Sequence, residues 1–246
     1  MAWSSTRISN IAACIYTATL PKYGLLFLHP HGDETLAHQS ANPAWTDALT
    51  AAGIACCCPL ASRTWWADRV YAPFDSTQSA EQHLIRYVVP WMQQTWKLPD
   101  RHIAVAGISM GGQAALRLAF RHPYQFPVAA SVAGAIDYQI RFDDPAFPEL
   151  PLVYRSKEHC RQDTATLHVP GSRPYPSVLV ASDPQDHDWH PGNERLHEKM
   201  NAVGVPHEID FETSRGGHCW DYFNVMAEPV VKFCVESLER ESRRLL

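Results

Sequence analysis

Ser109 stands in Gly107–Ile108–Ser109–Met110–Gly111, directly after the apolar run Ile103–Ala104–Val105–Ala106 and directly before a helical pattern. A serine between two glycines at this spacing, with a strand before and a helix after, marks a nucleophile on a sharp strand-to-helix turn. The glycines lack a Cβ, so strand and helix can pass close together. The helix then points its positive end at the hydroxyl, and the N–H of Met110 becomes a donor to a developing oxyanion. The chemistry that fits is acyl transfer through a covalent ester on the serine.

A serine hydroxyl needs a base. The chain holds thirteen histidines, so position must choose among them. His218 follows the last apolar run, in Arg215–Gly216–Gly217–His218–Cys219–Trp220, where two glycines give a loop able to swing the ring toward Ser109. The base in turn needs a carboxylate to orient it and stabilise its charged form. Asp183, Asp186 and Asp188 all lie just beyond the run Ser177–Ser182. Asp186 is the preferred acid, because a few residues past the strand end leave the turn room to point inward. Asp183 and Asp188 are the alternatives, with turn or cap formation as their ordinary roles. After Leu25–Leu28 comes His29–Pro30–His31–Gly32–Asp33. Pro30 has no N–H, so the second oxyanion donor is expected at His31, with Gly32 next.

The alternation His29-x-His31-x-Asp33 also suits part of a zinc site, but the position after Asp33 is Glu34 rather than a further histidine. The expectation is therefore catalysis without metal or cofactor. Seven cysteines, three of them consecutive at Cys56–Cys57–Cys58, form no C-x-x-C pair and no regular framework. They read as small apolar residues in a reduced compartment. Net charge is −5 with no long basic run, which argues against a nucleic-acid or anionic-membrane partner. No apolar stretch reaches the length of a membrane span, and no targeting segment is evident. A soluble cytoplasmic protein is the expectation.

The elements that must carry these residues alternate between short apolar runs and amphipathic helices, the pattern of a mostly parallel sheet covered on both faces. One or two leading strands are expected within Ile8–Thr19. Further strands are expected at Leu25–Leu28, Ile54–Cys58, Ile103–Ala106, Val128–Val132, Ser177–Ser182 and His207–Phe211. Helices are expected at Pro43–Ala52, Ser79–Trp96 (kinked or split at Pro90), Met110–Arg121, Asn193–Val203 and Trp220–Glu239. With 246 residues, 46% of them hydrophobic, one sizeable core is within reach, and residues 1–246 read as a single α/β domain. The Pro-rich and aromatic segment 134–176 breaks the alternation and is expected to be a short cap insertion.

The order Ser, Asp, His matches the α/β-hydrolases. More narrowly, the chain resembles their esterase D-like branch, which includes S-formylglutathione hydrolases, feruloyl esterases and mycolyltransferases. The segments that carry the resemblance are Gly107–Ile108–Ser109–Met110–Gly111–Gly112 with Ala114–Ala115–Leu116, then Asn193–Glu194–Arg195–Leu196, and Gly216–Gly217–His218 with Trp220. The similarity runs from Leu25 to Phe233, and the chain looks like a member of a bacterial subgroup of such esterases. It implies the α/β-hydrolase fold and a triad of Ser109, Asp186 and His218. Where the family shows His-Gly in the oxyanion loop, this chain has His29–Pro30.

The expected activity is hydrolysis of a small carboxylic ester or thioester. Acyl transfer to another alcohol uses the same triad and is the alternative, ahead of amide cleavage and a non-catalytic binding role. Arg63, Trp65 and Trp189, with Trp66, belong to segments that approach the C-terminal ends of the strands, where ligands bind in such sheets. The tryptophans would wall a substrate pocket and Arg63 would meet an acidic group. Their ordinary alternative is core packing for the tryptophans and a structural ion pair for Arg63.

Overall fold

A computed structural model describes residues 2–32, 35–38 and 43–244. The chain opens with two strands, β1 (Trp3–Ile8) and β2 (Ile11–Tyr16), paired antiparallel with Ile8 opposite Ile11. Ser9 and Asn10 both take positive φ, as a tight two-residue hairpin requires. β1 starts earlier than the sequence suggests, because its polar face carries little hydrophobic signal. Then come β3 (Gly24–Leu28), α1 (Ala44–Ala52) and β4 (Ala55–Pro59). A small hairpin of β5 (Val70–Tyr71) and β6 (Asp75–Ser79), whose polar residues carry little strand signal, precedes the next helix.

That helix is continuous but not uniform. α2 (Ala80–His83) passes through a π-helical turn (Leu84–Val88) into α3 (Val89–Trp96). Pro90 lacks an N–H and crowds the carbonyl four residues back. The wider π turn accommodates it without splitting the helix. β7 (Ile103–Ile108), α4 (Met110–Arg121) and β8 (Val128–Val132) follow. Residues 134–176 form a 3-10 turn at Tyr138–Arg141 and three short helices, α5 (Leu150–Val153), α6 (Lys157–Arg161) and α7 (Ala165–His168). The chain closes with β9 (Ser177–Ala181), α8 (His190–Val203), β10 (Glu208–Asp210), α9 (Trp220–Val225) and α10 (Ala227–Arg244). The final helix is thus two, not one. Pro229 cannot lie inside a helix but fits the first turn of a new one.

Eight strands form one sheet in the order β1-β2-β4-β3-β7-β8-β9-β10, parallel from β4 to β10 and antiparallel at the β1, β2 edge. Strand residues alternate between two cores. Leu26, Leu28 and Val105 face the side covered by α2, α3, α4 and α8, while Leu25, Phe27 and Ala106 face α1, α9 and α10. Each fully buried Leu or Phe contributes about 1.5–3 kcal/mol. Cys56, Cys57 and Cys58 are buried in β4, and burial pushes the Cys56 and Cys57 thiols well above their ordinary range. All three pack as small apolar groups, and in Cys56 and Cys57 the thiolate needed for reaction is disfavoured.

Candidate active site

At the C-terminal edge of the sheet, β7 ends at Ile108 and Ser109 turns the chain into α4 with φ 55° and ψ −115°. A non-glycine residue in such a conformation costs about 1–3 kcal/mol, so its surroundings must hold it. The Ser109 N–H donates to the Val132 carbonyl at 2.9 Å, and the Ser109 carbonyl accepts from Ala135 N–H at 3.0 Å and Gln113 N–H at 3.1 Å. A Cβ at Gly107 would overlap the Gly111 carbonyl, and one at Gly111 would overlap the Leu28 carbonyl. The elbow therefore exists only because both positions are glycine.

His218 arrives from the loop after β10. Gly216 and Gly217 both have φ +84°, a region open to glycine. A Cβ on Gly217 would also press on the Gln185 carbonyl oxygen at 2.9 Å. His218 Nε2 lies 2.9 Å from Ser109 Oγ, and its Nδ1 lies 2.7 Å from Asp186 Oδ2. The ionised carboxylate can only accept, which assigns the proton to Nδ1 and leaves Nε2 to accept from the serine hydroxyl. Asp186 Oδ1 accepts the Trp189 N–H at 3.1 Å, which fixes the carboxylate plane. Phe223 packs edge-on against the imidazole at 5.1 Å. Ser109 and Asp186 are buried, while the His218 ring is partly open to solvent.

The other two carboxylates considered as acid stand elsewhere. Asp183 is buried and accepts from the Gln185, Arg215 and Gly217 N–H groups at 2.6–2.8 Å and from the Ser214 hydroxyl at 2.8 Å. Burial alone would raise its carboxyl, but the N–H groups of Arg215, Gln185 and Gly217 outweigh it and hold it below the ordinary range. Asp183 is the bracket of the histidine loop. Asp188 is exposed and pairs with Arg141.

Met110 is the first residue of α4, and the first-turn N–H groups of a helix have no acceptor within it. Across the elbow, His31 follows β3, and its Nε2 meets Glu149 Oε1 at 2.9 Å. Its ring packs against Phe147 at 5.2 Å and Trp65 at 6.0 Å. Gly32 follows with φ 118°. His29 is buried, and its Nε2 accepts the Ala61 N–H at 2.9 Å, which ties the loop after β3 to the loop after β4. Asp33 and Glu34 lie outside the described residues. Among the described residues, no three His, Cys, Asp or Glu side chains gather as a metal ion would need.

Trp65 is fully buried, donates Nε1–H to Glu149 Oε1 at 2.8 Å and stacks on Tyr138 with centroids 4.5 Å apart. Trp66 is buried too and donates to the His29 carbonyl at 3.3 Å. Trp189 is buried between Phe147 and the guanidinium of Arg141. Arg63 is exposed and makes no ion pair with a described residue. No motif in the sequence singles out Glu149 or Phe147. Their one sequence signal is a carboxylate flanked by apolar residues in Phe147–Pro148–Glu149–Leu150–Pro151.

Residues 61–227 match the family model described as "Putative esterase". No curated protein matches the chain significantly. Among solved structures, the chain is similar to a ferulic acid esterase, with 17% identity, TM-score 0.74, and 96% of this chain and 99% of that one covered. It is similar to the fluorophosphonate-binding serine hydrolase F of Staphylococcus aureus, with 14% identity, TM-score 0.76, and coverage of 96% and 99%. It is similar to an S-formylglutathione hydrolase from Agrobacterium tumefaciens, with 13% identity, TM-score 0.75, and coverage of 96% and 94%. At these identities the structural likeness is one of fold.

Proposed function

The chain belongs to the Esterase family of α/β-hydrolases, and from that premise we propose that it is a serine esterase acting on small carboxylic esters or thioesters through an acyl-enzyme on Ser109. The observation that carries the reading is the continuous hydrogen-bonded line Ser109 Oγ, His218 Nε2, His218 Nδ1, Asp186 Oδ2, at 2.9 and 2.7 Å.

The mechanism runs in two steps. Ser109 Oγ attacks the ester carbonyl as His218 Nε2 takes its proton, and Asp186 stabilises the imidazolium. The tetrahedral oxyanion sits between the Met110 N–H and the N–H of His31 or Gly32. The carbonyl re-forms, the bond to the alcohol or thiol breaks, and His218 returns the proton to that leaving group. Water then enters, gives a proton to the same ring and attacks the acyl carbon, releasing the acid and restoring Ser109. The segment 134–176 serves as a cap, with Trp65 and Trp189 as buried backing to the wall on which Phe147 and His31 stand. Arg63 is assigned to an acidic group on the substrate. Under this assignment Arg63→Ala raises KM for carboxylate-bearing esters and spares neutral ones, and equal KM changes for both contradict it.

The experiment that tests the reading compares the parent with Ser109→Ala on p-nitrophenyl acetate. Loss of a triad nucleophile lowers turnover by several orders of magnitude, on the order of 10⁶ in a studied case. Activity that survives the substitution overturns the proposal.

A further inference from the structure

We propose that Glu149, which reaches the site from the 134–176 segment, is a positioning residue that holds the loop after β3 so that the His31 N–H faces the oxyanion. The inference rests on the serine-esterase reading and deepens it.

The carboxylate is nearly inaccessible, at 2% exposure, and it serves two loops at once. Its Oε1 accepts from His31 Nε2–H at 2.9 Å and from Trp65 Nε1–H at 2.8 Å. His31 belongs to the loop after β3 and Trp65 to the loop after β4. Trp65 and Trp66 both have positive φ, near 55°, so this second loop is held in a conformation that side chains resist. The other oxygen, Oε2, is buried with no hydrogen-bond partner among the described residues. Both donors converge on one oxygen, so the carboxylate ties the two loops at a single point and fixes where His31 stands relative to Trp65.

The segment that carries Glu149 is itself tied to the nucleophile helix. Arg117 of α4 is fully buried and donates to Asp163 at 2.5 Å. Tyr154 donates to the second oxygen of Asp163 at 2.7 Å, and its hydroxyl lies 2.7 Å from that of Tyr138, which stacks on Trp65. α4 begins at Met110, the other oxyanion donor. One buried line therefore runs from that helix through Arg117, Asp163, Tyr154, Tyr138 and Trp65 to Glu149 and His31. Both donors are referenced to the same frame, and a misplacement of about 1 Å in such a frame can cost about 10²-fold in rate.

The test measures kcat and KM on p-nitrophenyl acetate for the parent, Glu149→Ala, Glu149→Gln, His31→Ala, the double variant Glu149→Ala with His31→Ala, and Ser109→Ala. Glu149→Ala is expected to lower kcat by about 10- to 100-fold while KM stays within about twofold. Glu149→Gln keeps an oxygen that can accept both N–H groups and is expected to restore most of kcat. In the His31→Ala background, Glu149→Ala is expected to add little, because its route to the oxyanion is already gone. Full kcat in both Glu149 variants overturns the inference, as do additive losses in the double variant. If Glu149→Ala fails to fold, Glu149→Asp, which keeps the charge but shortens the reach by one methylene, decides in its place, alone and with His31→Ala: full kcat in Glu149→Asp, or losses that multiply in the double variant, overturn the inference, and a loss in Glu149→Asp that does not multiply supports it. Ser109→Ala separates the two levels. If it stays active, the esterase reading itself falls; if it is inert while the Glu149 variants keep full kcat, only the positioning role falls.

Discussion

The main-chain N–H of Asp186 donates to the carbonyl of Asp183 at 2.9 Å, so two buried carboxylates share one tight turn after β9. They divide its work: Asp186 meets the imidazole and Asp183 holds the loop that carries it. The two asparagine variants should therefore differ in kind. Asp186→Asn presents an amide to His218 Nδ1 and favours the wrong tautomer, and kcat should fall on the order of 10⁴-fold with Tm little changed. Asp183→Asn removes charge from an acceptor of three N–H groups, and should cost about 1.5–3 kcal/mol of stability. Thermal melts and kcat on p-nitrophenyl acetate, measured side by side, check this. The reverse pattern would exchange the two roles.

The buried ion cluster under α4 makes a second prediction. Arg117 Nη2 donates to Glu81 at 2.7 Å and to the Trp66 carbonyl at 2.6 Å, while its Nη1 meets Asp163. Removing the guanidinium takes from Glu81 and Asp163 the fully buried cation they share and leaves them the more exposed Arg121, with His122 on Glu81. Arg117→Met should therefore lower stability by about 3–5 kcal/mol. Urea unfolding measures it, and a change below about 1 kcal/mol would show that the cluster is dispensable.

Stability should also fall on mild acidification because of His83. Burial lowers its imidazole from the ordinary 6.5 to about 4, and both ring nitrogens lie buried without a hydrogen-bond partner among the described residues. Between pH 6.5 and about 4 the unfolded chain takes up a proton there and the folded chain does not. Stability from this group is thus intact above pH 6.5 and lost as pH falls through that window, by on the order of 3 kcal/mol. His83→Leu should flatten the slope of Tm against pH in that range. An unchanged slope would contradict the assignment.

How much of this was legible in the sequence depends on the range of the interaction. The elbow was readable because Gly107, Ser109 and Gly111 answer to one local geometry, and the glycines of the His218 loop do the same. The meeting of Asp186 with His218 could be narrowed to three aspartates but not read outright, because the choice depends on how the turn after β9 packs against a loop some thirty residues away. Glu149 was invisible for the same reason. Its partners His31 and Trp65 are 118 and 84 residues distant, and no periodicity encodes such a contact. Among the elements, polar residues hide the early start of β1 and the whole of the β5–β6 hairpin from the hydrophobic pattern. The break before α10 is hidden because the pattern is helical on both sides of it, and Pro229 alone marks the new start.

The most direct measurement traps the nucleophile. The protein is incubated with a fluorophosphonate, which forms a stable phosphonyl ester with an activated serine, and the modified peptide is located by mass spectrometry. The account predicts one adduct per chain on Ser109, absent in Ser109→Ala and slowed by orders of magnitude in His218→Ala. An adduct on another residue, or ester turnover that continues while Ser109 stays unmodified, would contradict it.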